Sequence, residues 1–358
     1  MKIKLMVVAF IATWTTTALS QTDSTATDST KTETKAISVS GSVDAYLRQN
    51  ITGPNGAGAI APNTSFANLN GFALGMANVV GSFEGKKAGA VVDLVFGPRG
   101  EDAVFLSGAL RPAGSSNIVN QLYAYWNVTD KITLTMGNFN TFLGYEVISP
   151  AANFHYSTSY MFSYGPFSHT GIKSDFALTN DLSLMLAYLN NTDATEFNPN
   201  NTYTLGAQLG YKTTYLNFLY GKQGVGVPVT MQFDLTAGYD LTKKFYLGVN
   251  ATYNETGASN FYGAAIYPLV SISDAFGLGV RVEYFAESNG GAGAIGVYDA
   301  NGDANIIAPT LTASYAVGGL TIKPEVRFDL SSEDGFLDNK LSATNQLGSF
   351  VLAAVYSF

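Results

Sequence analysis

"LTIKPEVRFDL", Leu320 to Leu330, puts an apolar residue at every even position and a polar or charged one at every odd position between them. A two-residue period belongs to a strand with one oily flank and one wet flank. What the oily flank touches decides the fold: a second protein layer gives a soluble sandwich, a bilayer gives a transmembrane barrel. The same grammar recurs in "MQFDLTAGYD" (231–240), "KFYLGVNATYN" (244–254) and "FGLGVRVEYFAE" (276–287). In the second of these Phe245, Leu247, Val249, Ala251 and Tyr253 face one way, while Tyr246, Gly248, Asn250, Thr252 and Asn254 face the other. The second face accepts glycine.

Runs of this kind lie near 37–48, 71–83, 87–97, 118–128, 131–139, 169–178, 182–190, 202–211, 213–221, 229–240, 244–254, 259–270, 275–287, 306–317, 319–330 and 346–358, which makes sixteen. Tight links such as Thr129-Asp130, Lys212 and Gly318 alternate with mostly long ones, the largest at 49–70, 98–117, 140–168, 288–305 and 331–345. Short turns on one side and long loops on the other are the asymmetry of an up-and-down outer-membrane barrel. Strands of about 9 to 11 residues match a bilayer, whereas soluble strands average about five or six. Aromatic residues gather toward strand ends, Trp126, Tyr211 and Tyr239 by short turns and Tyr188, Tyr253, Tyr284 and Phe328 by long ones, as two interfacial girdles require. The expected fold is therefore an all-β, antiparallel transmembrane barrel of about sixteen strands, with outer-membrane lipid against its oily face. Pro324 interrupts its strand, and a bulge is expected there.

Composition agrees. The 358 residues are 46% hydrophobic but only 13% charged, about half the usual share of charge. A net charge of −8 with no basic cluster excludes a nucleic-acid binder. Absence of cysteine excludes disulfides, thiolate metal sites and cysteine nucleophiles. Lys2 and Lys4, the apolar run Leu5 to Ala12 and Ala18-Leu19-Ser20 predict a cleaved signal peptide over 1–20, since the run is far too short to span a bilayer. Residues 21–36, rich in Ser and Thr, predict a disordered tether, leaving 37–358 as the barrel.

The closing stretch "FVLAAVYSF" aligns Phe350, Leu352, Ala354, Tyr356 and Phe358 on one face and ends on an aromatic residue. It is similar to the terminal-strand signal read by the barrel assembly machinery, an expected partner. From about residue 41 to 358 the chain resembles the putative beta-barrel porin-2 (OmpL-like) family of Gram-negative outer membranes. The resemblance is carried by "GNFNTFLGYEVISPAANFHYSTSYMFSYGPFSHTGIK" (137–173) and "NDLSLMLAYLNN" (180–191). It implies a pore-like barrel, with no firmly assigned solute.

If the wet face lines a lumen, alternation points Asp44, Arg48, Asp93, Lys173, Asp175, Asp234, Arg281, Glu283, Lys323, Glu325, Arg327 and Asp329 inward. Facing acids and bases would set a transverse field that sorts polar solutes; a salt-bridge lattice that only stiffens the wall is the alternative. Residues 140–168 form a long, greasy loop with Tyr145, Phe154 and Tyr156 among its aromatics, Glu146 its one carboxylate and no Lys or Arg. Folded inward, it would constrict the channel through Tyr145, Glu146, Phe154, His155 and Tyr156. His155 and Ser157 have the spacing of a hydrolase base and nucleophile, but no orienting partner is identifiable. Asp299, Asn301 and Asp303 alternate as in a calcium loop, yet the glycine is misplaced and Thr310 stands where the closing glutamate belongs. No catalytic residue, metal or cofactor is assigned. The expected function is a porin-like channel for passive diffusion of small polar solutes, with a homo-oligomer left open. The rival is a loop-occluded barrel serving as a surface scaffold or partner of envelope proteins.

Overall fold

The computed structural model describes residues 36–112 and 114–358, so the expected signal peptide and nearly all of the tether lie outside the described residues. Sixteen antiparallel strands close into one barrel in chain order, the last bonded to the first. They are β1 (Ala36–Asn50), β2 (Gly71–Glu84), β3 (Ala88–Phe96), β4 (Val119–Thr129), β5 (Ile132–Asn140), β6 (Ser168–Ala177), β7 (Leu182–Leu189), β8 (Thr204–Tyr211), β9 (Thr214–Lys222), β10 (Val229–Asp240), β11 (Phe245–Thr256), β12 (Ser259–Ser271), β13 (Phe276–Ser288), β14 (Ala304–Val317), β15 (Leu320–Ser331) and β18 (Gln346–Ser357). A two-residue hairpin, β16 (Phe336–Leu337) with β17 (Ala343–Thr344), sits in the last long loop. Short helices α1 (Pro98–Ala103) and α2 (Phe105–Leu110) lie in the second long loop, and α3 (Tyr160–Tyr164) in the third.

Closure runs through β1 and β18, from Ser42↔Ser357 to Asn50↔Ser349, and Gly41 and Phe358 exchange two further backbone bonds of 3.1 Å. The seam matters because an open edge in lipid would leave N–H and C=O groups unpaired at several kcal/mol each. Outward side chains are bare: Phe72 is 90% exposed, Leu74 68% and Met136 70%. This apolar belt answers the question posed by alternation, since none of the described residues covers it and hydrocarbon is the medium it suits.

The expected bulge at Pro324 is absent. The pairing of β15 with β18 passes through Pro324↔Leu352 without a slip, and against β14 the register is the same on both sides of Pro324, with pairs missing beside it and again at Ala308 and Pro309. The missing N–H is thus absorbed as a gap in one ladder. Register shifts fall elsewhere, at Val43/Ala45, Asp93/Leu94 and Asn127/Thr129.

Candidate functional site: the lumen and its third loop

The loop from β5 to β6 turns into the barrel and lies against the inner face of β10 to β15 and β1. It is held there by strand side chains, and each bond traces to the alternation that aims the residue inward. Asp234 accepts from Gly144 N (2.8 Å). Lys323 donates to Pro150 O (2.9 Å) and to Asn153 O. Glu325 accepts from the consecutive amides of Tyr156 (2.8 Å) and Ser157 (3.0 Å). Asp44 accepts from the Tyr156 hydroxyl (2.5 Å). Arg281 donates to Glu146 Oε1 (2.6 Å) and Ser157 O (2.7 Å). Arg327, paired with Asp329 at 2.7 Å, donates to Thr158 O (2.7 Å).

Local sequence explains why α3 begins where it does. Ser159 Oγ caps the helix by accepting from Phe162 N (3.1 Å), while its own N–H and O–H donate to Glu146 Oε2 (2.7 and 2.5 Å). The amides of Tyr160 and Met161, orphaned at a helix start, donate to Glu283 (both 2.8 Å). A wall carboxylate thus completes a helix on another element.

Aromatic packing uses the inward glycines. Phe142 Cζ stands 2.6 Å from where a Cβ on Gly206 would lie, Phe154 Cε1 2.5 Å from one on Gly279, and Met161 Cγ 2.8 Å from one on Gly263; the Tyr145 hydroxyl fills the same space at Gly248. The strands lack side chains where the loop needs room. Tyr145 also stacks on Tyr267 (4.2 Å between centroids) and bonds the Tyr246 hydroxyl (3.0 Å).

All twelve charges expected to face inward do so, but their surroundings differ from the expectation. Asp44, Arg48, Asp93, Asp234, Arg281, Glu283, Lys323, Glu325, Arg327 and Asp329 are buried, and only the Lys173–Asp175 pair (2.9 Å) stays open, at 25% and 42% side-chain exposure. Protein groups, and not open water, surround those ten. The cause is the third and neighbouring loops, which take up the bonding capacity: Arg48 donates to Asn50 (2.9 Å) and Ile60 O (3.1 Å). Among the described residues Asp93 and Asp234 have no basic partner and are satisfied by carboxamides, Asp93 by Asn120 (2.6 Å) and Asn78 (3.2 Å), Asp234 by Asn250 (2.7 Å) and Asn217 (2.8 Å).

His155 and Ser157 do not assemble a hydrolase site. His155 Nδ1 faces Thr312 Oγ1 (2.7 Å), and Ser157 Oγ accepts from Arg281 (3.3 Å). Burial, with Arg281 and Lys323 nearby, pushes the His155 imidazole well below its ordinary pKa, which suits a neutral packed ring. The Asp299 carboxylate accepts from the amides of Asn301 (2.8 Å) and Asp303 (2.9 Å), closing its own turn. Leu352, Tyr356 and Phe358 of the terminal strand are outward and 39%, 46% and 57% exposed, with Phe350 partly covered on the same face.

Sequence reasoning missed Arg99 on α1, which is buried, stacks 4.3 Å over Phe66 and donates to Ile148 O (2.7 Å) and Tyr156 O (3.2 Å). It missed Asp193, whose Oδ1 accepts from Phe167 N (2.7 Å) and Ser168 N (2.9 Å) where the third loop rejoins β6. Neither lies on an alternating run, so no periodic signal marked them. The glycine sockets did leave a signal, since Gly248 and Gly279 interrupt otherwise polar inner faces.

A closed sixteen-strand barrel with an apolar outer belt and a loop folded inside defines a porin-like outer-membrane channel protein. The model of the family described as putative beta-barrel porin-2, OmpL-like, matches residues 36–358, and the chain belongs to that family. No curated protein matches it. Among solved structures it is similar to an OmpF of Salmonella typhi in complex with daunomycin (12% identity, 90% of this chain and 97% of that one, TM-score 0.60). It is also similar to the outer membrane channel DcaP of Acinetobacter baumannii (12%, 90% and 97%, 0.56) and to a trimer form of OmpT, an outer membrane protein of Vibrio cholerae (11%, 90% and 99%, 0.53). At these identities the likeness is one of fold alone.

Proposed function

We propose that the protein is a narrow passive channel for small polar solutes, with the third loop as its constriction and no bond chemistry. The observation that carries this reading is the loop itself, pinned along the inner face by Glu325, Glu283, Arg281 and Lys323. Pinning to one wall narrows the lumen while leaving Lys173 and Asp175 on the other wall in reach of a solute. The signal over 1–20, cleaved during export, would deliver the chain, and the outward Leu352, Tyr356 and Phe358 would be read by the assembly machinery. The trimer form of the similar OmpT supports a homo-oligomer here.

Planar-bilayer recording tests the channel. Full-length protein should give stable open steps, and deletion of Ala151 to Tyr164 should enlarge them. One observation favours the rival scaffold reading, namely that ten of the twelve inward charges are buried. Silence from folded protein, before and after the deletion, would establish that rival.

A further inference from the structure

The outer mouth holds an open cleft of about 520 Å³ between the first four long loops, lined by Phe66, Asp102, Phe105, Tyr164, Phe167 and Asp193 together with small amides and hydroxyls. Among the described residues no Lys or Arg lines it. Asp102 is exposed on α1, Asp193 comes from the facing loop, and among the described residues neither forms an ion pair. Phe105, the first residue of α2, is 54% exposed, and the Tyr164 ring is partly bare. Two carboxylates beside open aromatic faces attract a positive charge through Coulomb energy and the ring quadrupole together.

The charge remaining inside the barrel points the same way. The buried cations Arg48, Arg99, Arg281, Lys323 and Arg327 are all engaged with loop carbonyls, carboxamides or carboxylates. Among the described residues the buried lumen carboxylates Asp44, Asp93, Asp234 and Glu283 form no ion pair. Arg99 stands behind the Phe66 ring and opposes a bound cation, one charge against the two of the cleft and the adjoining Glu101.

Resting on the channel reading, we propose that this cleft is an outer docking site for small organic cations, solutes carrying an alkylammonium group. Asp102 and Asp193 supply the charge, and Phe105 and Tyr164 the faces. Burial lifts the Asp193 carboxyl to about 6, which leaves it ionised at neutral pH.

The test uses choline and its uncharged isostere 3,3-dimethylbutanol, titrated calorimetrically into the detergent-solubilised full chain at neutral pH. Choline should bind, and the isostere should bind at least about tenfold more weakly, a factor worth about 1.4 kcal/mol. Asp102→Asn and Asp193→Asn should each weaken choline several-fold; the second keeps a carbonyl acceptor for the Phe167 and Ser168 amides and so keeps the loop anchored. Equal binding of the two compounds, undiminished choline binding in the folded double variant, or no heat with choline at millimolar concentration would each overturn the proposal. Calorimetry does not need conduction. A silent barrel that binds choline sinks the channel and keeps the site, while a conducting barrel that does not bind it sinks the site and keeps the channel.

Discussion

The wall of β12 to β15 and the wall of β4 to β7 are built from the same alternation, and both aim charged side chains inward. On the first, Arg281, Glu283, Glu325 and Asp329 are at most 1% exposed and are committed to the third loop or, for Asp329, to Arg327. On the second, Lys173 and Asp175 form a half-open pair. The difference lies in what approaches the strands from the long-loop side, which the strands themselves do not encode. A buried charge that binds a loop acts as a structural anchor; an exposed one of the same type can act on a solute.

The largest effect should come from uncovering the anchored wall. Removing Ala151 to Tyr164 frees Glu325, Glu283 and Arg281 to water and should raise single-channel conductance several-fold, read in planar bilayers with circular dichroism to confirm the barrel. An unchanged step size in a folded variant would mean that the loop does not limit the path.

Next in size is the loss of one anchor. Arg281→Met leaves Glu146 buried at 4% exposure without its 2.6 Å partner, and breaking such a pair costs about 3–5 kcal/mol. Denaturant unfolding followed by tryptophan and tyrosine fluorescence should show the loss, with noisier open-channel current as the loop loosens. A smaller effect is expected at a socket. Gly279→Val would drive a side chain into Phe154, and overpacking of this kind costs about 1–3 kcal/mol. The corresponding change at Gly210, which faces Tyr215 instead of the third loop, should leave channel noise unaltered.

The two walls also show what the sequence could and could not say. Period, turn chemistry and the placement of Tyr and Trp are local, and they located the sixteen strands and the inward set, including Glu325 and Arg281. The greasy, base-free stretch around Tyr145 and Phe154 marked the loop that folds inside. Pairing across long separations is not local: Glu325 with Tyr156 and Arg281 with Glu146 join segments whose proximity exists only once the barrel has closed. A glycine such as Gly248 is visible in the sequence, but its meaning depends on Tyr145, about a hundred residues away. Pro324 was misread for a related reason, since β18 on its other side keeps the register.

Acid should act on the cleft at the mouth. Asp193 ionises near 6 in the folded chain, above the ordinary carboxyl value, because burial penalises its charge; Asp102 is raised too, by burial and by Glu101 beside it. At pH 5 roughly nine-tenths of a carboxyl with that value is protonated. Choline affinity should therefore fall several-fold between pH 7 and pH 5, measured calorimetrically. Linkage has the opposite sign: a raised carboxyl contributes stability that is full below its unfolded pKa and is lost as pH rises through about 6. Weaker binding at pH 5 thus reports lost charge and not a loosened Asp193 tether.

The smallest change in stability is expected on the open wall, where the comparison is tested most directly. Lys173 and Asp175 sit two residues apart on β6, on one face, with the Lys173 ammonium 5.5 Å over the Phe139 ring. Solvent screens a pair this exposed, so Lys173→Met should change unfolding free energy by less than about 1 kcal/mol. Its effect on ions should be larger than its effect on folding, because the carboxylate of Asp175 is left facing the lumen and the reversal potential in a KCl gradient should move toward cation preference. Arg327→Met should do the reverse: its charge is 2% exposed and paired at 2.7 Å, so removal costs stability while a passing ion registers little of it. If Lys173→Met destabilised the barrel by several kcal/mol, or if the Arg327 variant moved the reversal potential and the Lys173 variant did not, the roles assigned to the two walls would have to be exchanged.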